Sequence, residues 1–233
     1  MKNKTEKLPI WFLSVASHQL LTPASIIKGY IGLIQDGAYG KISKELASVL
    51  GDIYESNEKL IALMDEFLDI SKIEQNRIKF SFEKKDINKI ISELTPELAR
   101  RANRKGLEFK WRPAAKAMAL SVDEEKIRHV IFNLVDNAVK YTRAGMVEVR
   151  IREENGGLSF CVTDTGLGFG PIDEANFFQK FYRGQNVKNF DSTGTGLGLY
   201  ICRQFVKGHG GRVWAKSRGP GRGSEFGFYI PQK

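Results

Sequence analysis

The chain turns on the stretch Ser14-Val-Ala-Ser-His18-Gln-Leu-Leu-Thr22-Pro-Ala-Ser-Ile-Ile-Lys-Gly-Tyr30. Successive residues of an α-helix lie about 100° apart. On that wheel Ser14, His18, Ser25, Gly29 and Gly32 share a narrow polar stripe, and Phe12, Leu13, Ala16, Leu20, Ile27, Tyr30, Ile31 and Ile34 lie on the other side. His18 therefore stands among small neighbours, where a second molecule can reach it. An imidazole is a nitrogen nucleophile whose neutral form is well populated near neutral pH. Pro23 removes a backbone donor and crowds the carbonyl of Gln19, which predicts a bend just after His18. A lone exposed histidine can equally be an ordinary surface residue. Its surroundings decide.

Working outward, Leu13, Ala16, Leu20, Pro23, Ile27, Tyr30 and Ile34 alternate three and four apart, the spacing of a coiled-coil seam. Asp36-Gly-Ala-Tyr-Gly40-Lys41 ends that pattern. Ser43 is placed to cap a second helix that runs to about Ser71. The second seam reads Leu46, Leu50, Ile53, Asn57, Leu60, Met64 and Phe67. Asn57 is its one polar member. Either it fixes register from inside the seam, or it lies on a slightly shifted, exposed face. Two helices on a short loop cannot bury two apolar faces alone. Two such hairpins can, as a four-helix bundle, so a homodimer is expected. Lys72-Ile-Glu-Gln-Asn-Arg77 reads as a polar hinge. It divides the chain into a helical hairpin over 1–76 and a second domain over 77–233.

Beyond the hinge the period changes. Phe80 and Phe82 alternate with polar residues as in a short strand. Asp86 and Asp123 are placed to cap helices over 87–103 and 124–140, with strands expected over 107–111 and 117–122. Val147, Val149 and Ile151 alternate with charges, Asn155-Gly-Gly157 turns the chain, and Leu158, Phe160 and Val162 return it. A second hairpin is expected from 212–217 and 225–230, joined by Gly219-Pro-Gly-Arg-Gly223. Helices alternating with antiparallel pairs predict a two-layer α/β sandwich.

Four clusters lie on its connections. In Asn133-Leu-Val-Asp-Asn137-Ala-Val-Lys140-Tyr141, the residues Asn133, Asn137 and Lys140 share a helix face. An amide oxygen suits the oxygen shell of Mg²⁺, a lysine meets phosphate, and a tyrosine can cover an adenine. Asp164-Thr-Gly166-Leu-Gly168 follows a strand directly; a carboxylate there can accept from an exocyclic amine. Phe177-Phe-Gln-Lys-Phe181-Tyr182-Arg183 is the third. Gly194-Thr195-Gly196-Leu197-Gly198-Leu199 opens an apolar helix over 200–207, whose first backbone donors can bind phosphate. The polar run 184–193 before it shows no helix or strand period.

Ser17-His18-Gln19-Leu20-Leu21-Thr22-Pro23 resembles the H-box of sensor histidine kinases. The four later clusters resemble, in order and spacing, the N, G1, F and G2 boxes of the catalytic domain of that family, the Bergerat ATP-binding fold. Together the resemblance covers nearly the whole chain. It implies a dimeric helical hairpin with His18 as phospho-acceptor, ATP with Mg²⁺ held partly through Asn137, and an ATP lid over 184–193. Asp164 then reads the adenine, while Lys140 and Arg183 offset phosphate charge. It implies transfer to an aspartate of a response-regulator receiver domain, and a phosphatase role for Thr22. It also implies a sensor module N-terminal to these residues or a sensory partner. Two departures stand out. The family usually carries an acidic residue where this chain has Gln19, and a basic one is frequent at Leu21. Glutamine can orient a ring but cannot take its proton, so a slow autokinase is expected. Phe169-Gly170-Pro171 stands where a small aliphatic residue and proline are usual, which changes the local loop.

Composition fits a soluble globular protein. The chain has 233 residues and a net charge of +9. Its basic residues are mixed with acids, without an arginine-rich tract or aromatic-basic interleaving, so no nucleic-acid partner is expected. Cys161 and Cys202 sit in apolar runs and read as reduced, buried thiols. No membrane span and no secretory signal are seen, which suggests a cytoplasmic chain or the cytosolic part of a membrane-anchored receptor. His129 and His209 read as structural, and Trp11, Trp111 and Trp214 as packing or interface residues. Two alternatives keep the nucleotide clusters: an ATP-binding dimeric scaffold with weak or no kinase activity, and a non-histidine kinase or ATPase of the same fold.

Overall fold

The computed structural model describes residues 10–116, 118–187 and 194–232, with side chains from Val15 onward. The polar opening 1–9, the side chains of Trp11, Phe12, Leu13 and Ser14, and lid positions 188–193 lie outside the described residues. The chain divides into two compact units, 1–78 and 79–233.

In the first unit α1 (Ile10–Gln35) and α2 (Lys44–Glu74) form a hairpin. Ser43 caps α2, accepting from the Leu46 amide at 3.2 Å. α1 is helical on both sides of Pro23. α2 outruns its expected end by three residues, so the first half of the supposed hinge is helical; the Gln75 side chain and backbone both reach back to Ser71.

The buried face within the hairpin differs from the expected seams. Ser17, Ala24 and Ile31, seven apart, are buried on α1; Leu50, Asn57 and Met64, also seven apart, are buried on α2. Leu20, Ile27 and Tyr30 stay 47%, 45% and 56% exposed, as do Leu46, Ile53 and Leu60 at 46%, 45% and 40%. The α2 seam thus serves two surfaces. Alternate members face α1, while Leu46, Ile53 and Leu60 are left open along with Leu20, Ile27 and Tyr30 of the α1 seam. Asn57 is 6% exposed and its Nδ2 donates to the Ala24 carbonyl at 2.8 Å, which settles its position as interior.

The second unit packs α3 (Ile87–Arg104), α4 (Glu124–Tyr141) and α6 (Gly198–Gly208) on a five-stranded sheet. Its strands are β2 (Glu108–Arg112), β4 (Met146–Glu154), β5 (Gly157–Asp164), β7 (Ser224–Pro231) and β6 (Arg212–Ser217), in that spatial order. The sheet is mixed: β2 pairs parallel with β4, a non-local pairing that the hairpin pattern did not predict. A short β1 (Glu83–Asp86) pairs antiparallel with β3 (Ala119–Val122). Val147, Val149, Leu158, Phe160, Val162, Phe228 and Ile230 turn one sheet face inward. Asn155 and Gly156 both have positive φ, 48° and 68°, the two-residue turn that matches strand twist.

Asp86 and Asp123 cap α3 and α4 as expected, accepting at 3.0 and 3.1 Å. Phe80 and Phe82, however, form no strand. Their rings stack at 5.6 Å, and both meet the edge of His209. His209 is 1% exposed; its Nε2 accepts from the Asp123 amide at 3.0 Å and its Nδ1 faces the Phe205 carbonyl at 2.7 Å. Its place is structural, as is that of His129 against Phe205. Trp111 donates to Ser92 and Trp214 to Glu225. Both cysteines are buried and neither is in a disulfide. Among the described residues no helix is long and apolar enough to cross a membrane.

Candidate functional site

Asn133, Asn137 and Lys140 recur at the helical three- and four-residue spacing on α4 and are half-buried, so they form a polar stripe beside the buried apolar face of an amphipathic helix. The Asn137 Nδ2 donates to the Asn133 Oδ1 at 3.0 Å. That bond turns the Asn137 amide so that its oxygen is the end directed away from Asn133. The Lys140 ammonium lies 5.6 Å from the centre of the Tyr141 ring.

Asp164 closes β5 and is 7% exposed. Its Oδ1 accepts from the Gly166 amide at 2.7 Å, and its Oδ2 accepts from the Ser224 hydroxyl. Burial pushes the carboxyl above the usual aspartate range, and those hydrogen bonds only partly offset it. The loop behind it is braced from two sides. Leu167 donates to the Tyr141 carbonyl, while Gly221 and Gly223 donate to the carbonyls of Leu167 and Gly166. Gly168 takes φ 56°, and Phe169 turns inward, its amide held by Ser217 at 3.1 Å. Phe169 joins Phe177 and Ala215 in an aromatic cluster with Phe178, Tyr182, Leu199 and Phe226. The unusual Phe169-Gly170-Pro171 thus feeds a core ring and then starts a short helix α5 (Pro171–Asn176), with Pro171 in its first turn.

The third and fourth clusters interlock. Gly196 has φ 73°, and a Cβ there would sit 2.7 Å from the Phe181 carbonyl carbon and 2.8 Å from the Tyr182 oxygen. Phe181 itself has φ 59°, a conformation rare outside glycine, and is 65% exposed. The Thr195 hydroxyl accepts from the Leu197 amide at 3.1 Å, and Leu197 is fully buried. Gly198, first residue of α6, lies against the Asn133 amide. A Cβ on Gly194 would lie 3.7 Å from Lys140 Nζ, 3.8 Å from Tyr141 Oη and 3.9 Å from Arg183 Cζ. Two cations and a phenol therefore surround one glycine ahead of a helix N-terminus, an arrangement suited to polyphosphate. Tyr182 is committed elsewhere: its hydroxyl donates to Asp173 at 2.8 Å and its ring meets Phe177 edge-on.

The structure adds two residues that sequence reading passed over. Ser224 stands opposite Asp164 in the β5–β7 register, a pairing that the alternation of the two hairpins could have suggested. Asp173 is buried within a helix too short to leave a period. In the first unit His18, Gln19 and Thr22 are exposed on α1, and Ser17 beside them is buried.

Among the described residues no group of three His, Cys, Asp or Glu could hold a metal. Mg²⁺ takes oxygen ligands and keeps several waters beside substrate phosphates; the Asn137 amide oxygen, turned away from Asn133, is one oxygen donor compatible with such a shell.

Two family models match the chain in succession: the His Kinase A (phospho-acceptor) domain over residues 12–76, and the histidine kinase-, DNA gyrase B- and HSP90-like ATPase over 122–233. The chain belongs to the histidine kinase family. The chain is 33% identical over 223 residues to the sensor protein GacS of Pseudomonas syringae pv. syringae, covering 92% of the chain and 24% of GacS. It is 28% identical over 222 residues to the sensor protein SrrB of Staphylococcus aureus, covering 95% of the chain and 38% of SrrB. Full-length ShkA, solved in complex with AMPPNP, matches with a TM-score of 0.75 at 28% identity, over 96% of this chain and 46% of ShkA. The chain thus spans about a quarter to two fifths of the curated relatives it matches. The fold is that of histidine kinase structures: a helical hairpin, then a mixed sheet with helices.

Proposed function

We propose that the chain is the kinase core of a two-component sensor: ATP bound by residues 77–233 phosphorylates His18 on a dimeric hairpin formed by residues 1–76. The observation that supports this best is the pairing of an exposed imidazole, inside the phospho-acceptor family match, with a polyphosphate-type cluster of Lys140, Tyr141 and Arg183 around Gly194. The AMPPNP complex of ShkA, whose ligand is a triphosphate analogue, supports a nucleotide in the same fold.

Each residue then has a role. Asp164, held by Gly166 and Ser224, accepts from the adenine amine. Gly166 and Gly168 let the backbone approach the base. Asn133 and Asn137 with Lys140 line the phosphates, Arg183 balances their charge, and Gly194 through Leu199 supply backbone donors. The Asn137 amide oxygen would hold Mg²⁺, which would supply neutralisation of phosphate charge. A neutral ring nitrogen of His18 forms a bond to the γ-phosphorus as the bond to the bridging oxygen breaks, and ADP leaves. The imidazole proton passes to water or buffer, because Gln19 cannot accept it. Positioning and electrostatics supply most of the rate. The phosphoryl group then moves to an aspartate of a response-regulator receiver domain, and Thr22 orients a water for its later removal. Thr22→Ala slows loss of phosphate from the receiver and spares labelling of His18.

Gln19 favours a second reading, an ATP-binding dimer that transfers little or nothing. Labelling with γ-labelled ATP and Mg²⁺ separates the two when wild type is compared with His18→Gln and Asn137→Ala. A kinase loses label in both variants; a scaffold binds nucleotide and never labels.

A further inference from the structure

We propose that Asp173 is a positioning residue for the nucleotide phosphates: its buried carboxylate ties down the Tyr182 side chain and the Gln185 backbone on either side of Arg183 and so aims that guanidinium. The proposal rests on the ATP-site reading above.

Asp173 is 4% exposed and is the third residue of α5. One carboxylate oxygen, Oδ1, accepts from both the Tyr182 hydroxyl at 2.8 Å and the Gln185 amide at 3.1 Å. Those donors flank Arg183 and Gly184. Gly184 is buried between them; a Cβ there would sit 3.2 Å from the Phe177 ring and 3.6 Å from the Asp173 carboxyl carbon. The segment 182–185 therefore wraps around a single anion. The anion is itself fixed, because the Asp173 amide donates to Gly170 and its carbonyl accepts from Phe177. Hydrogen bonds to an ionised acceptor are stronger than neutral ones and hold direction better. Their consequence is local: Arg183 leaves this anchored turn with its guanidinium at Gly194, beside Lys140 and Tyr141. Ordering Arg183 before ligand arrives removes an entropic cost from phosphate binding.

The adenine pocket at Asp164 stands on different elements, the end of β5 and the start of β7. That separation gives a readout which a packing role alone does not move. A residue that only stabilises α5 changes unfolding and leaves ligand preference alone. A residue that aims Arg183 weakens ligands with phosphates and spares the bare nucleoside.

The test is titration calorimetry of the full chain with ATP and with adenosine, in Mg²⁺ buffer, alongside thermal unfolding. Asp173→Ala should weaken ATP roughly tenfold, the scale of one hydrogen bond to a charged group, while adenosine stays within about twofold. Asp173→Asn keeps an acceptor oxygen and should fall between, and Tyr182→Phe should shift ATP in the same direction. If Asp173→Ala does not fold, the near-isosteric Asp173→Asn and Tyr182→Phe carry the comparison. Equal loss of ATP and adenosine, or no loss of either, overturns the role of Asp173 alone. A wild-type chain that binds neither ligand overturns the nucleotide reading and this proposal together.

Discussion

The Asn57 side chain donates to the Ala24 main-chain oxygen across 2.8 Å, joining the middles of α1 and α2. Both residues are buried; Asn57 lies between Leu50 and Met64, and Ala24 between Ser17 and Ile31, each seven residues away on its own helix. A polar group there contributes directional pairing that neighbouring Ile31, Leu50 and Met64 cannot. Asn57→Ala removes the donor and leaves a small void. The hairpin transition in urea, followed by helical circular dichroism, should lose about 1–2 kcal/mol. An unchanged midpoint would mean that the bond contributes nothing to the hairpin.

The apolar row left uncovered on that hairpin gives a second outcome. Ile53 and Leu60 are 45% and 40% exposed on the same helix, one heptad apart. If two hairpins pair, Ile53→Glu with Leu60→Glu buries two like charges at the seam. Sedimentation should then show wild type as a dimer and the double variant as a monomer with its helices retained. A monomeric wild type refutes the bundle.

In the proposed adenine site, Asp164 would trade stability for recognition. Burial raises its carboxyl above the ordinary value, so between the unfolded and folded pKa the native state holds more protons than the unfolded one. Stability from this group is therefore present below the unfolded pKa and lost as pH rises through the folded one. At neutral pH the charge is a burden. Asp164→Asn should unfold at the same temperature as wild type or higher, yet lose ATP in calorimetry. A variant that still binds ATP normally removes Asp164 from the adenine site.

Gly198 opens α6 against the Asn133 amide. Its φ is not in the left-handed region, so alanine suits the helix itself. A methyl there must displace Asn133, and with it the bond to Asn137. Gly198→Ala should therefore keep its melting temperature while KM for ATP rises about tenfold to a hundredfold, as expected when a site group moves by about 1 Å. A normal KM would show that Asn133 is dispensable.

Much of this was legible along the chain wherever the chemistry is local. Ser43, Asp86 and Asp123 cap helices because a short oxygen-bearing side chain reaches amides two or three residues on, and Asn155-Gly156 turns because both tolerate positive φ. What escaped is non-local or quiet. Ser17 and Ala24 face α2 but are small, so they leave no mark in a hydrophobic period. Phe80 and Phe82 alternate like a strand because both rings answer to His209, far along the chain. The β2–β4 pairing joins strands separated by a helix and by β3. Among the site residues, Asn133, Lys140 and Asp164 announce themselves by spacing, whereas Ser224 and Asp173 acquire their partners only through register and folding.

In the kinase proposed above, the His18 imidazole receives the γ-phosphoryl group of ATP. That transfer is tested most directly by incubating the chain with γ-labelled ATP and Mg²⁺ and mapping the label by its chemistry, in wild type, His18→Gln and Gln19→Glu. The account predicts slow, acid-labile, alkali-stable label on His18, none in His18→Gln, and an initial rate raised by about 10² or more in Gln19→Glu, where a general base is restored. Nucleotide bound without label on that ring, even in Gln19→Glu, would contradict it.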